Sequence, residues 1–328
     1  MQKTIFSGIQ PSGNLHIGNY IGAIKQWVNR QNDGFNIFCI VDMHAITVPQ
    51  DPKALHEKSL ELAALYLAAG INPEKSLVFI QSHNSDHANL GWLLNCYTSM
   101  GQMNRMTQYK DKSEGKDFVS VGLFSYPTLM AADILLYNTT EVPVGEDQKQ
   151  HVELTRDVAE RFNNTYGETF ILPEPKIPTH GGRIRSLLDP NKKMSKSDSN
   201  PNATVNLLDP EEVIRKKIKS ATTDSGSDIK YDMENKPGVS NLLDLYSQTS
   251  SKSVEEIEKE CVGKRYGEFK EIVAESVVNC LGQLQAKYYE LRNSDKLEGI
   301  LKQGAEKSYQ LSHKKLEEVY RKVGFVTR

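Results

Sequence analysis

The sequence predicts an α/β fold, with a doubly wound parallel sheet in its first two-thirds and an all-helical segment after it. Three observations carry this. Short apolar runs alternate with helical patterns in the order β-α-β-α-β over the first 82 residues, the alternation that builds a parallel sheet with right-handed crossovers. Those runs are continuously apolar, as strands covered on both faces are. Beyond Pro210 the short runs stop and only helical periodicity remains.

Taken in order, Thr4–Ile9 reads as the first strand. After Gly18, Ile21, Ile24, Trp27 and Val28 fall on one helical face. "FNIFCIVDMHAIT" supplies the second strand, apolar from Ile37 to Val41. Asp51-Pro52 opens a helix that ends near Gly70, with Asp as cap and Pro in the first turn. Ser76–Ser82 is the third strand, and His87 to Tyr137 reads as mostly helical around a polar loop, "QYKDKSEGKDF". Glu141–Val144 is a short strand ending at Gly145, followed by a helix from Gln148 to Asn164. Residues 173–210, rich in Pro, Gly, Asn, Ser and Lys, read as loop. Helices follow at Glu211–Ala221, Gly238–Ser247, Val254–Cys261, Tyr266–Asn293 and Lys296–Val323. The expected division is a Rossmann-like domain over 1–205 and a helical domain over 206–328. No internal repeat is visible.

Composition narrows the function classes. With 328 residues, 38% hydrophobic and 25% charged, the chain is long enough for two domains of about 100–200 residues each. A formal net charge of −2 points to no polyanionic partner globally, so any nucleic-acid contact must be a local patch. The four cysteines, Cys39, Cys96, Cys261 and Cys280, contain no CxxC pair, and suggest neither a zinc site nor a disulfide framework. No apolar run approaches the ~18 residues that span a bilayer, and the first residues lack a signal-peptide pattern. A cytoplasmic protein is the expectation.

The first turn, "GIQPSGNLHIGN" over Gly8–Asn19, stands where open parallel sheets bind ligands, beyond the carboxyl end of a strand and at a helix start. Glycines there let backbone amides approach phosphate oxygens with no Cβ in the way. The turn is neither GxGxxG nor a P-loop, and a plain Pro-Ser-Gly turn is the competing reading. His16, at the start of the helix, adds a ring N–H donor at the positive end of the dipole. The second element, "KKMSKS" over Lys192–Ser197, reads blandly as a solvated loop. Two lysines three apart, among serines and on a flexible loop, also suit neutralising a polyphosphate as it leaves.

"HIGN" together with "KMSKS" resembles the paired signatures of the class I aminoacyl-tRNA synthetases. "FSGIQPSGNLHIGNYIGA", "MAADILLY" and "VPVGEDQKQHVELTRD" are similar to the bacterial tryptophan-specific branch, and the resemblance covers nearly the whole chain. The departure from the commoner HIGH signature is Asn19, which keeps a neutral N–H donor without the imidazole.

The resemblance implies activation of L-tryptophan with Mg-ATP and transfer to tRNA(Trp). It implies that Gln10, Pro11, Ser12, His16, Gly18 and Asn19 hold the triphosphate. Gly145, Glu146 and Asp147 would take the ribose and adenine, with Ile184 at the adenine. Lys193, Met194, Ser195, Lys196 and Ser197 would take the leaving pyrophosphate, assisted by Lys112. Mg²⁺ would be held mainly by ATP's own oxygens, with no protein metal site. Asp133 would accept the indole N–H, Phe6, Gly8, Met130, Val142 and Val144 would pack the ring, and Tyr126, Gln148 and His44 would hold the rest of the amino acid. Asp133 also stands out physically, since Ala131, Ala132, Ile134 and Leu135 around it are apolar and a buried carboxylate needs partners. Arg215, Lys216, Lys217 and Lys219 form a basic run that is either a solvated face or a tRNA phosphate contact. The family is a homodimer. Alternatives are a tyrosyl-tRNA synthetase, a small nucleotidyltransferase with an HxGH turn, and a non-catalytic RNA-binding synthetase paralogue.

Overall fold

The computed structural model describes residues 3–115, 117–177, 184–196 and 198–326. Five parallel strands, β1 (Thr4–Ile9), β2 (Phe35–Ile40), β3 (Ser76–Ile80), β4 (Glu141–Pro143) and β5 (Glu174–Lys176), form one sheet in the order β3-β2-β1-β4-β5. β2 and β3 are buried along almost their whole length, which is why their sequences do not alternate. The order reverses between β1 and β4. A crevice therefore opens there beyond the carboxyl ends, at the topological switch point.

The helix Pro52–Ala68 starts as its sequence dictates, with Asp51 accepting from the Ala54 amide and Pro52 at the first helical position. Elsewhere the structure corrects the reading. The segment after His16 is α-helical at Ile17–Asn19 and Lys25–Asn29 but makes a π turn over Tyr20–Ile24. The polar loop begins as helix, at Thr107–Ser113. β5 lies inside the segment read as loop. Its central Pro175 masks it in sequence, and a proline is tolerated because β5 is an edge strand.

The two predicted halves share a core. One apolar cluster runs from Leu15, Ile24 and Leu65 to Leu243, Phe269 and Leu281 without interruption near residue 205. The last helix, Lys296–Val323, returns to β3: a Cβ on Gly304 would lie 1.9 Å from the Val78 carbonyl oxygen. Only glycine permits that approach. Asn84, Asp86, Ser308 and Ser312 are buried beside this contact.

The basic run is also corrected. On the helix Glu211–Lys219, Lys217 is buried and donates to Asp209 at 2.6 Å, and Arg215 bonds Glu211 and Glu275. Three positions apart on a helix is one face, but 217 lies off it and points inward. Lys216 and Lys219 remain exposed.

Candidate active site

Every strand that borders the crevice delivers part of the site at its carboxyl end. β1 runs into the glycine-rich turn, β2 into His44, β3 into Gln81, and β4 into Gly145–Asp147. The helix Val121–Leu135 brings Tyr126, Met130 and Asp133 across from the neighbouring layer.

At one end of the crevice, the first turn is a preorganised set of donors. Gly13 has a φ of +64°, the left-handed region that a side chain strains. His16 and Asn19 cap the following helix reciprocally. His16 Nδ1 accepts from the Asn19 amide at 3.3 Å, and Asn19 Oδ1 accepts from the His16 amide at 3.2 Å. With Nδ1 committed as an acceptor, the ring proton sits on Nε2. Burial, then the charges of Lys196 and Lys193, lowers the His16 pKa to about 4, so the ring is a neutral donor at physiological pH. Gly18 is required by this arrangement, since a Cβ there would stand 3.0 Å from His16 Nδ1.

Lys196 reaches over the turn, its Nζ 3.3 Å from the Ser12 carbonyl oxygen. Lost hydration and the Lys58 ammonium lower its pKa, against the pull of Glu61. Lys58 itself bonds Asn14 and Glu61, each at 2.7 Å. Gln10, Pro11, Ser12, Lys58 and Lys196 thus line one small pocket. Lys193 is exposed, its backbone lying opposite that of Arg185 in an isolated antiparallel β-bridge, and Ser195 is exposed beside it. Ser197 lies outside the described residues.

Met194 points the other way. Its side chain is buried in the core and its amide donates to the Ile184 carbonyl at 3.2 Å. The methionine anchors the loop while the flanking lysines stay out. That bond also occupies the Ile184 carbonyl, leaving the Ile184 side chain packed beside Gly18.

At the other end, the Asp133 carboxylate is 1% exposed and closely partnered. Its Oδ1 accepts from Gln81 Nε2 and His87 Nδ1, each at 2.6 Å, and its Oδ2 from His44 Nε2 at 2.7 Å. Burial alone would raise this carboxyl, but His44 and then His87 hold it below the usual range. An ionised carboxylate offers about four lone-pair positions. Three are used, and Oδ2 can take one further N–H.

Around it, Phe6 and Val142 are buried in the core, whereas Met130 and Val144 are only half-buried at its margin. Gly8 faces outward, and a Cβ there would meet Val41 at 3.1 Å. The Tyr126 hydroxyl lies 2.6 Å from His151 Nε2, and its ring meets His44 edge-on at 6.1 Å. Burial, then Asp147, pushes the Tyr126 phenol up to about 12. His151, with a pKa lowered to about 4 chiefly by burial, is neutral. Lys112 stands 5.4 Å over the Tyr126 ring. Gln148 donates to Asp147, an exposed carboxylate beside Glu146 that folds over Gly145.

Sequence reasoning missed Lys58, Gln81, His87, Tyr137 and His151. Gln81 had a signal, its place at the carboxyl end of β3. Lys58, His87 and His151 lie inside helices and Tyr137 in the turn that follows the helix Val121–Leu135, and none breaks the local pattern of its segment.

The family of class I tRNA synthetases (W and Y) matches residues 2–282 of this sequence. The chain belongs to that family. It is 56% identical over 324 residues to the tryptophan–tRNA ligase of Halalkalibacterium halodurans, covering 99% of this chain and 98% of the relative. The Bacillus subtilis tryptophan–tRNA ligase is 56% identical over the same length and coverage. The crystal structure of the Campylobacter jejuni tryptophanyl-tRNA synthetase with ADP and tryptophan superposes with a TM-score of 0.88 at 38% identity, covering 98% of this chain and all of that one. Within the family, the turn and the KMSKS loop are the two signature segments, and Lys196 brings them together here.

Proposed function

We propose that the chain is a tryptophan–tRNA ligase. It joins L-tryptophan to ATP as tryptophanyl-adenylate with release of pyrophosphate, then transfers the tryptophanyl group to the 3′-terminal adenosine of tRNA(Trp). The observation that carries the choice of tryptophan is the buried Asp133 carboxylate. It has one acceptor position left, a match for an indole N–H.

The reacting tryptophan carboxylate is already an anion, so adenylate formation requires no general base. It requires alignment and positive charge around the α-phosphorus. The backbone amides of Gln10 and Ser12, the Nε2–H of His16 and the Nδ2 amide of Asn19 supply neutral donors, with Pro11 shaping the turn between them. Lys193 and Lys196 supply charge to the departing pyrophosphate, with Lys112 and the loop serines beside them. Gly145–Asp147 hold the ribose and adenine. Met130, Val144 and Phe6 pack the indole, and Tyr126, His44 and Gln148 hold the amino-acid end.

Among the described residues no trio of His, Cys, Asp and Glu is placed to hold a metal ion. Mg²⁺ fits this site as part of Mg-ATP, coordinated by phosphate oxygens. The helices beyond residue 205 take the anticodon side of tRNA, with Lys216 and Lys219 as phosphate contacts. Trp92, Met100 and Val121, large apolar side chains at 74%, 66% and 79% exposure, supply the face of a homodimer. This reading places the chain in the cytoplasm.

The decisive experiment is ATP–pyrophosphate exchange with each standard amino acid in turn. Exchange with tryptophan alone supports the reading. Equal exchange with tyrosine overturns it, and none with any amino acid identifies a non-catalytic paralogue.

A further inference from the structure

Asp133 does not end at its own three bonds. From His87 a buried chain of polar groups leads away from the crevice to the last helix. His87 Nε2 lies 2.8 Å from the Tyr137 hydroxyl, and Asn84 Nδ2 donates to that hydroxyl at 3.4 Å. The same Asn84 amide donates to Ser308 Oγ at 3.3 Å and Ser312 Oγ at 2.9 Å. His87, Asn84, Ser308 and Ser312 are each 1% exposed or less, and Tyr137 is 6% exposed.

Asp133 orients the chain from its own end. An ionised carboxylate only accepts, so His87 Nδ1, 2.6 Å from Asp133 Oδ1, carries the ring proton and donates it there. His87 Nε2 is then an acceptor, and the Tyr137 hydroxyl donates to it. Beyond the tyrosine, the Asp86 amide donates to Asn84 Oδ1 at 3.1 Å, which turns the Asn84 NH₂ toward Tyr137, Ser308 and Ser312. Its two protons are shared among those three oxygens, while Ser312 Oγ donates to Asp86 Oδ2 at 2.7 Å and Ser308 Oγ to the Ala305 carbonyl at 2.8 Å.

We propose that Tyr137 is a positioning residue for tryptophan selection, one that donates to His87 Nε2, fixes the orientation of the ring and so keeps its Nδ1–H aimed at the Asp133 carboxylate. Without its hydroxyl, His87 Nε2 is a buried acceptor with no donor. The ring is then held from one side only, its Nδ1–H bond to Asp133 weakens, and the carboxylate loses its fixed aim. Asn84 and the serines of the last helix act one step further back by aiming the tyrosine. The inference rests on the reading that Asp133 accepts the indole N–H.

The test compares tryptophan with its benzothienyl analogue, in which sulfur replaces the indole N–H, in pyrophosphate exchange by Tyr137→Phe. Loss of one buried hydrogen-bond partner predicts a KM for tryptophan raised about 5- to 150-fold, with the preference over the analogue falling by a similar factor. The KM for ATP and the kcat at saturating tryptophan stay near wild type. A folded variant with the wild-type preference overturns the inference, as does one that loses activity toward both amino acids and ATP alike. If Tyr137→Phe does not fold, Ser312→Ala, which leaves tyrosine and histidine in place, decides in the same way through a smaller fall in preference. Asp133→Ala separates the two claims. A collapsed preference there with an intact one in Tyr137→Phe defeats only the role of Tyr137, and an intact preference in Asp133→Ala defeats the reading beneath it.

Discussion

The two ends of the crevice are held by different means. At the phosphate end, the donors are backbone amides, one neutral imidazole and lysines on a loop, and the lysines face solvent. At the indole end, one carboxylate sits inside the protein, gripped by His44 and Gln81 from the turns that follow β2 and β3 and by His87 from the helix Asp86–Asn95. On the proposed reading the first end must accept and release a highly charged group, so its cations are carried on an exposed loop. The second must tell one ring from another. That requires a dry site in which an unmatched polar group costs free energy. Release and discrimination are thus divided between the two ends.

If that division is right, the largest single effect lies at the loop. Lys196→Ala removes a charge expected to act mainly on the departing pyrophosphate, and adenylate formation should slow by about 10²–10³-fold. Tryptophan affinity measured without ATP should hardly change, because Lys196 stands on the phosphate side with Ser12 and Lys58. A large loss of tryptophan affinity in that titration would show that the ends are not independent.

The matching experiment at the buried end has a smaller expected size and a sharper signature. A charge-assisted bond is worth about 1.5–3 kcal/mol, so Asp133→Ala should lose roughly 10- to 150-fold in kcat/KM for tryptophan. The variant also leaves the Gln81, His44 and His87 donors without an acceptor. The diagnostic is therefore the ratio of tryptophan to the benzothienyl analogue, which should approach unity. A ratio kept at the wild-type value would mean that another group reads the N–H.

The contrast explains how much could be read in advance. The phosphate end is local in sequence: Gly8–Asn19 and Lys192–Ser197 are two short stretches, and each advertises its chemistry through glycines or lysines. The sheet was equally legible in β1, β2 and β3, whose apolar runs are continuous. The indole end is assembled from positions 44, 81, 87 and 133, and of its members only Asp133 breaks an apolar pattern. His87 looks like an ordinary helix residue and Tyr137 like the tail of an apolar run, because what makes them special is a partner some fifty positions away. β5 is masked in the sequence by its proline, and the motif around Met194 gives no sign that its side chain is buried.

Each end also carries a buried neutral histidine, His16 and His151, with pKa values near 4 against about 6.5 when unfolded. Below pH 6.5 the unfolded chain takes up protons that the folded chain refuses, so stability falls as the pH drops toward 4. The loss is about 2 kcal/mol per histidine between pH 6.5 and 5. Urea unfolding at pH 7 and pH 5 checks this with His151→Gln, whose stability should fall less between the two than that of wild type. An equal fall would mean that His151 is already protonated in the fold.

The smallest expected effect tests how sharply the phosphate end is divided within itself. Lys196 and Met194 are two residues apart, yet one lies over the turn and the other is 2% exposed in the core. If the methionine acts only as an anchor, a side chain of similar volume should serve. Met194→Leu should then change stability by less than about 1.5 kcal/mol and leave the KM for ATP where it was. Leucine keeps the apolar bulk but removes the thioether and the unbranched reach, so a direct contact with nucleotide would be felt even when packing is not. Thermal unfolding and the ATP dependence of pyrophosphate exchange, measured on the same preparation, separate the two roles. A tenfold rise in the KM for ATP with unchanged stability would place Met194 at the nucleotide and return the whole loop, not just its lysines, to the binding surface.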